Sequence, residues 1–465
     1  MSYVIKTKKP VHTDFDLIII GSGSGGGVAA HLVAHKGKKV AIIEAENIGG
    51  ECPNYGCVPT KALLQVAETY RTIQHAADFG IKTNGVQVDM KALQAWRKKA
   101  VRNTGTSEGI ATFEAEGITV LKGRAHFIDP WTIALNERHY SAHQFLIATG
   151  THDLVPAIPG LKEFGFIGYR QALELEAFPK KLCIIGGGAI GCEFAHYFST
   201  FGVRVEIMEF APRLLAKEDA EVGELIEAVF EQDGIVVHTD AKVLMVEQKG
   251  KQKIVSYEQF GRVHKIIVDE IMLAAGKVPN TDLGLENAGV SYDRKRGIEV
   301  DAYMQTNVPH IYAAGDVVGG YMFTHVASFQ SRIAALNMLS PLKHAMDYRA
   351  VPRCVFVAPE CASVGATEEE LKAKGIKYQV AMIPTSIIGR ANTTGQDTGF
   401  VKIIANKKGY ILGGCIVAPR AGEMIQELVL AVQWKLRASK IDFAMHAYPT
   451  WSQAVRICAS KIHCR

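Results

Sequence analysis

The sequence predicts an α/β fold: two Rossmann-like dinucleotide-binding domains and a C-terminal α+β domain. Three observations predict it. A strand, a glycine-rich turn, a helix and a second strand follow one another twice. In both copies an acidic residue lies 23 positions after the first glycine. From about Tyr348 the texture changes to short strand-like runs alternating with helical ones. At 465 residues the chain is too long for one core, so two to four domains are expected.

The first copy opens with the apolar run Asp16–Ile20, then Gly21-Ser22-Gly23-Ser24-Gly25-Gly26, a helical stretch, and the strand Val40–Ile43 ending at Glu44. The second has Leu182–Ile185, then Gly186-Gly187-Gly188-Ala189-Ile190-Gly191, a helical stretch, and Val203–Met208 ending at Glu209. One glycine motif alone is weak evidence. Two copies, each between strand and helix with a correctly spaced acid, are strong. The first glycine permits the tight turn, the second lets the backbone approach a pyrophosphate, and the third lets helix and strand pack closely. The helix N-terminus holds the anion and the acid takes a ribose hydroxyl.

Two strand-to-glycine runs close these units: Phe145-Leu146-Ile147-Ala148-Thr149-Gly150 and Ile271-Met272-Leu273-Ala274-Ala275-Gly276. The last domain is read from strands at Cys354–Val357, Phe400–Ile404 and Ile411–Val417 and helices at Glu368–Lys374 and Gly422–Leu436. The expected division is 1–150, 151–276, 277–347 and 348–465, with the third segment returning to the first domain.

Composition narrows the function. Apolar residues make up 48% and charged residues 21%, as in a soluble globular chain. The net charge of +5 comes from 52 basic and 47 acidic residues that are interspersed, so no nucleic-acid or membrane-surface stripe is expected. No apolar run reaches the roughly 18 residues of a membrane span. The polar start, Met1–Phe15, lacks the apolar core of a signal peptide, so a cytoplasmic location is expected. Nine cysteines without framework spacing point to catalytic or metal-binding thiols rather than structural disulfides.

The segment Gly49-Gly50-Glu51-Cys52-Pro53-Asn54-Tyr55-Gly56-Cys57-Val58-Pro59-Thr60-Lys61 carries the most chemistry. Two cysteines five positions apart open a helix directly after a complete dinucleotide-binding unit. A dithiol there is suited to two-electron exchange with a flavin. The thiolate is the reactive form, and a helix N-terminus or a nearby cation favours it.

With these motifs in view, the chain from about Asp14 to its end resembles the pyridine nucleotide–disulfide oxidoreductases, the flavoprotein group that includes dihydrolipoamide dehydrogenase, glutathione reductase and mercuric reductase. The resemblance implies an FAD domain, an NAD(P) domain inserted into it, and a C-terminal domain that forms a homodimer. It implies that Gly21, Gly23, Gly26, Glu44, Gly50, Thr149 and Gly150 serve FAD, and that Gly186, Gly188, Gly191, Glu209 and Gly276 serve the nicotinamide nucleotide. It implies that Cys52 faces the substrate, that Cys57 lies against the flavin, and that Lys61 near flavin N5 has Glu193 as its partner. His310-Ile311-Tyr312-Ala313-Ala314-Gly315-Asp316 resembles the second FAD motif, while Met322, Phe323, Thr324 and Ala327 align with the stretch beside the flavin ring. The other cysteines at 183, 192, 354, 361 and 415 read as packing residues.

Glu209 favours NADH. The 2′-phosphate of NADP would meet its charge, and like charges about 4 Å apart at an effective dielectric of about 20 repel by about 4 kcal/mol. A tenfold preference requires only about 1.4 kcal/mol. Arg213, one turn on, would partly offset that repulsion.

The sequence departs from the family near its end, in His446-Ala447-Tyr448-Pro449-Thr450-Trp451-Ser452-Gln453. The disulfide reductases have His-Pro-Thr followed by Glu three positions later. Here Tyr448 stands for the histidine and Gln453 for the glutamate. Tyrosine stays protonated at neutral pH, and a missing general acid–base costs about 10²- to 10⁴-fold in rate. His446 is better read as a packing or surface histidine than as a substitute. Lys277 replaces the usual Arg, keeping charge but losing the planar fork.

A metal-ion acceptor needs no such base. Mercuric reductases pass mercury through adjacent tail cysteines, and this chain has Cys458 and Cys464, six apart and about 240° around a helix. The expected function is therefore an FAD-dependent, NADH-preferring oxidoreductase. It would cycle Cys52–Cys57 and reduce a small-molecule or metal-ion acceptor, a soft metal first among them, with Tyr448 in the catalytic set and Cys458 and Cys464 as a metal relay. The alternatives are a dihydrolipoamide dehydrogenase with a modified proton route and an FAD-binding redox sensor with little turnover.

Overall fold

The computed structural model describes residues 10–104 and 109–463. It divides into two compact units: Met1–Ala62, Lys91–Leu154 and Gly276–Met346 form one, and Leu63–Met90, Val155–Ala275 and Asp347–Arg465 form the other. Among the described residues no helix is long and apolar enough to cross a membrane.

The first unit begins with β1 (Phe15–Ile20), α1 (Ser24–Ala34) and β2 (Val40–Glu44). Leu17–Ile20 and Val40–Ile43 are continuous apolar runs because both faces of a parallel sheet are covered. The segment with the two cysteines is not one helix. Cys52 lies in the single turn α2 (Glu51–Asn54), and Cys57 is the first residue of α3 (Cys57–Gln74). The break falls at Gly56, whose N–H turns back to the Glu51 carbonyl at 2.8 Å. A Cβ there would stand 3.4 Å from the Cys52 Cα.

After α4 (Met90–Asn103) come β3 (Thr119–Lys122), β4 (Ala125–Asp129), β5 (Thr132–Leu135) and β6 (Arg138–Ile147), then the short β7 (Thr151–Asp153). The strand order is β3-β2-β1-β6-β5-β4. The second half of β6 runs parallel to β1, with Ile18 opposite Phe145, and its first half turns back antiparallel on β5.

The second unit holds a parallel sheet of β8 (Lys181–Ile185), β9 (Arg204–Met208), β10 (Val236–His238) and β14 (Glu270–Leu273) in the order β10-β9-β8-β14. Between β8 and β9 lies α5 (Ala189–Thr200), and α6 (Ala220–Gln232) leads into β10. A meander of β11 (Lys242–Lys249), β12 (Gln252–Gln259) and β13 (Arg262–Val268) precedes β14.

The chain then returns to the first unit. There β15 (Lys277–Pro279) pairs with β7, β16 (Ile311–Ala313) adds to β6, and α7 (Thr324–Leu339) packs along α1, where Ser331 Oγ accepts from Ala29 N at 2.9 Å.

The remainder of the second unit is an antiparallel sheet of five strands, β17 (Pro352–Val355), β18 (Glu360–Gly365), β19 (Gln379–Pro384), β20 (Phe400–Ala405) and β21 (Ile411–Ala418), ordered β17-β18-β21-β20-β19. Helices α8 (Ala421–Gln433) and α9 (Gln453–Ala459) cover it. The strand expected to reach Val357 stops at Val355, and the helix expected to reach Leu436 stops at Gln433 because Lys435 adopts φ +52°.

Candidate functional site

In the first unit the glycine loop after β1 has the geometry a pyrophosphate cradle requires. Gly21 sits at φ +108°, and a Cβ on Gly26 would stand 2.0 Å from the Gly21 carbonyl, so helix and strand meet only because that residue is glycine. Gly23 faces Gly50 so closely that a Cβ on Gly50 would be 2.7 Å from the Gly23 Cα. Three side-chain contacts hold the dithiol segment over this loop. Ser22 Oγ donates to Glu44 Oε2 at 2.5 Å, Ser22 N donates to the same oxygen at 3.0 Å, and Gly49 N donates to Ser22 Oγ at 3.1 Å. The acid ending β2 thus fixes the chain leading to Cys52.

The other expected FAD positions lie in the same unit. Thr149 Oγ1 donates to the Asn280 carbonyl and Asn280 Nδ2 donates to the Thr149 carbonyl, both at 2.8 Å, while Gly150 accepts from Asn280 N at 2.9 Å. Gly315 N donates to Gln330 Oε1 at 2.7 Å. Burial raises the pKa of the Asp316 carboxyl, with the charge of Glu51 acting the same way against Lys277 and a hydrogen bond from Thr151. A half-buried carboxylate of this kind fits an acceptor for a sugar or ribityl hydroxyl. Lys277 Nζ pairs with Asp153 at 2.9 Å across the β7–β15 ribbon, and Gly276 accepts from Leu154 N. Met322 and Phe323 are half-buried and lead into α7, which opens on Thr324 and buries Ala327. The residues present therefore fit FAD.

The two thiols come together. Cys52 is half-buried, Cys57 is exposed, and they share a hydrogen bond. That bond, burial and the charge of Cys57 all raise the pKa of Cys52, while a hydrogen bond from Thr324 acts against them. The Thr324 hydroxyl also lies 3.5 Å from Cys57 Sγ. Lys61 follows Cys57 by one helical turn, on the same face of α3.

In the second unit, Gly186 has φ +114° and a Cβ on Gly191 would be 1.9 Å from the Gly186 carbonyl, so the second loop repeats the first. Gly188 caps α5 in extended conformation. Glu209 accepts from Gly187 N at 2.5 Å and from Ala211 N at 2.7 Å. Arg213 does not turn to offset that charge. Its guanidinium pairs with Glu369 at 2.7 Å and faces the carbonyls of Ala216 and Glu218. Glu193 is buried on α5 and accepts from Phe356 N at 3.0 Å. It lies in the second unit, whereas Lys61 belongs to the first.

The C-terminal residues change the expected picture most. Tyr448 is 74% exposed, and its hydroxyl stands over Gly389, where a Cβ would be 2.9 Å away. Gln453 begins α9 with its buried Oε1 lacking a hydrogen-bond partner. His446 meets Glu427 Oε2 with Nε2 at 2.8 Å and the Ala444 carbonyl with Nδ1 at 2.9 Å. Both ring nitrogens lie against oxygens of the chain itself, so the ring is anchored between Glu427 and the Ala444 carbonyl.

The relay role expected of Cys458 is corrected. Its thiol is sealed in the core under the five-stranded sheet, lies 3.3 Å from the carbonyls of Ala381 and Val401, and is pushed by burial up to about 12. A neutral, water-excluded thiol makes a poor ligand for an incoming ion. Cys464 lies outside the described residues.

The sequence reading missed two features. One is the His446–Glu427 pair, which links residues 19 apart. The other is a cluster of Asp219, Glu221 and Glu368, close enough to suggest a cation site. Lys402 fills it, with Nζ at 3.5, 2.8 and 2.6 Å from the three carboxylates. Burial lowers the Lys402 pKa, and hydrogen bonds to Glu221 and Glu368 more than reverse this, so the net shift is upward.

Comparison with known proteins agrees with these features. The signature of the pyridine nucleotide-disulphide oxidoreductases matches residues 15–331, and that of their dimerisation domain matches residues 351–458. A dihydrolipoyl dehydrogenase of Thermus scotoductus is 37% identical, covering 97% of both chains. A mercuric reductase of Staphylococcus aureus is 34% identical, covering 96% of this chain and 82% of its own. Among solved structures, the Cu(II) complex of the HOCl-induced flavoprotein disulfide reductase RclA from Escherichia coli superposes with a TM-score of 0.87. It is 28% identical and covers 97% of this chain and 100% of its own.

Proposed function

Since this chain belongs to the pyridine nucleotide–disulphide oxidoreductase family, we propose that it passes electrons from NADH through FAD to Cys52–Cys57 and on to a soft metal ion. FAD and a nicotinamide nucleotide are the cofactors expected of the family. When bound, the flavin supplies acceptance of a hydride and return of its electron pair.

The chain's own residues would divide the work. The Gly21–Gly26 loop, Glu44, Thr149, Gly150, Gly315 and Asp316 would hold FAD, with Met322, Phe323, Thr324 and Ala327 beside its ring. Lys61 would act beside the flavin ring. The Gly186–Gly191 loop and Glu209 would hold NADH. Capture of Arg213 by Glu369 supports NADH over NADPH, because it leaves the Glu209 charge without that counterion. Exposed Leu430, Trp434, Phe443 and Met445, within the segment matching the dimerisation domain, support a homodimer.

One observation carries the metal-ion reading. The acid–base position holds Tyr448, and the nearest histidine, His446, already has both nitrogens committed. Discharge of the dithiol into a soft metal needs no proton donor for a leaving thiol. The Cu(II) complex of RclA points the same way.

The test is NADH oxidation by purified protein across lipoamide, glutathione disulfide, Hg(II), Cu(II), quinone and oxygen. The metal reading expects turnover with a metal ion and its loss in Cys52→Ala. Full metal-dependent NADH oxidation by that variant would sink it.

A second reading, a dihydrolipoyl dehydrogenase with a modified proton route, is favoured by the names of most of the similar relatives. It expects lipoamide turnover that Tyr448→Phe abolishes.

A further inference from the structure

We propose that the hydroxyl of Thr324 is a catalytic group for the dithiol, donating its hydrogen bond to the thiolate sulfur when the Cys52–Cys57 pair is reduced. The proposal rests on the reading that this pair cycles between disulfide and dithiol. Thr324 is the first residue of the sixteen-residue helix α7, and its Oγ1 lies 3.5 Å from Cys57 Sγ. It bonds Cys52 as well, where its effect is to favour the ionised sulfur against burial and against Cys57. One hydroxyl therefore reaches both reacting atoms.

Reduction breaks the S–S bond. The pair takes up two electrons, for which NADH is the reductant, and one proton from solvent, and it becomes one thiol and one thiolate. Discharge to an acceptor reverses the balance. In the disulfide neither sulfur is charged and Thr324 has little to stabilise. In the reduced pair the hydroxyl meets a full negative charge, and a hydrogen bond to a charged acceptor is about twice as strong as a neutral one. The N-terminus of α7 adds its positive end at the same place. Serine would retain this effect, whereas valine would keep the volume and lose it.

The test compares wild-type protein with Thr324→Val and Thr324→Ser. Each is reduced with a phosphine and alkylated with iodoacetamide from about pH 5 to pH 10, with mass mapping to Cys52 and Cys57. The rate midpoint of the more acidic thiol is expected to rise by about one pH unit in Thr324→Val and to return in Thr324→Ser. Superposed profiles for wild type and Thr324→Val would overturn the proposal, as would a serine variant shifted as far as valine. Because the reductant is chemical, this result does not depend on cofactor turnover. Failure of NADH to release the two thiols in the wild-type holoprotein would instead count against the electron-transfer reading alone.

Discussion

His446 and Glu427 face each other across 2.8 Å, Nε2 to Oε2, while the opposite ring nitrogen meets the Ala444 carbonyl. This pair ties the loop before α9 to α8 and spends the histidine on structure. His446→Gln is therefore expected to cost about 1 kcal/mol of stability. It should leave NADH oxidation with the preferred metal within about twofold of wild type. A loss of about a hundredfold, the size expected for a missing acid–base group, would reassign the residue to chemistry.

Burial of Cys458 yields a second expectation. Cys458→Ala should lower the unfolding midpoint by a few degrees and cost about 1 kcal/mol through the small cavity it leaves. Its metal-dependent turnover should match wild type. A selective fall in metal turnover with unchanged stability would restore the relay role.

Coenzyme choice tests Glu209. Replacement by serine removes the charge that accepts from Gly187 N and Ala211 N. The ratio of kcat/KM for NADPH to that for NADH should rise by about tenfold or more, since about 1.4 kcal/mol suffices. An unchanged ratio would place selectivity elsewhere.

Glu360 gives a pH dependence. It accepts from Gly422 N at 3.0 Å, yet burial, with Glu423 and Glu68 nearby, pushes its carboxyl up to about 7 despite Arg420. Folding thus favours its protonated form. Between about pH 4.5 and pH 7 the native state binds more protons than the unfolded chain, so this residue's contribution falls as pH rises through that window. Glu360→Gln should be more stable than wild type at pH 8, by about 1–3 kcal/mol, and equal to it near pH 4. Chemical unfolding at the two pH values reads this directly, and a constant difference would contradict it.

Lys402 is 1% exposed among three carboxylates. Lys402→Met should destabilise the protein by about 3–5 kcal/mol, because it strands buried negative charge. A denaturant midpoint close to wild type would show that the carboxylates take up protons at no net cost.

The parts of this protein legible in its sequence are those written into short-range pattern. The glycine at each tight turn, the apolar runs of buried parallel strands and the acid at the end of β2 are local requirements, and each recurs where the spacing places it. The break between Cys52 and Cys57 is local too, but it depends on Gly56 closing back on Glu51, which periodicity does not register. Cys458 was misread because helical spacing fixes direction around an axis and says nothing of what packs there. Lys402, within the strand Phe400–Ala405, looks solvent-facing until residues 181 positions away supply its counterions. The partners of His446 and Arg213 are likewise set by tertiary contact.

The lysine at the centre of the acidic cluster also bears on how this protein can be assayed. With the Lys402 ammonium seated among the three carboxylates, calcium, magnesium or adventitious zinc would have to displace it to bind there. Elemental analysis after dialysis should then find no background stoichiometry from that cluster. Any mercury or copper retained could be counted against the sulfur pair, with Cys52→Ala as the blank.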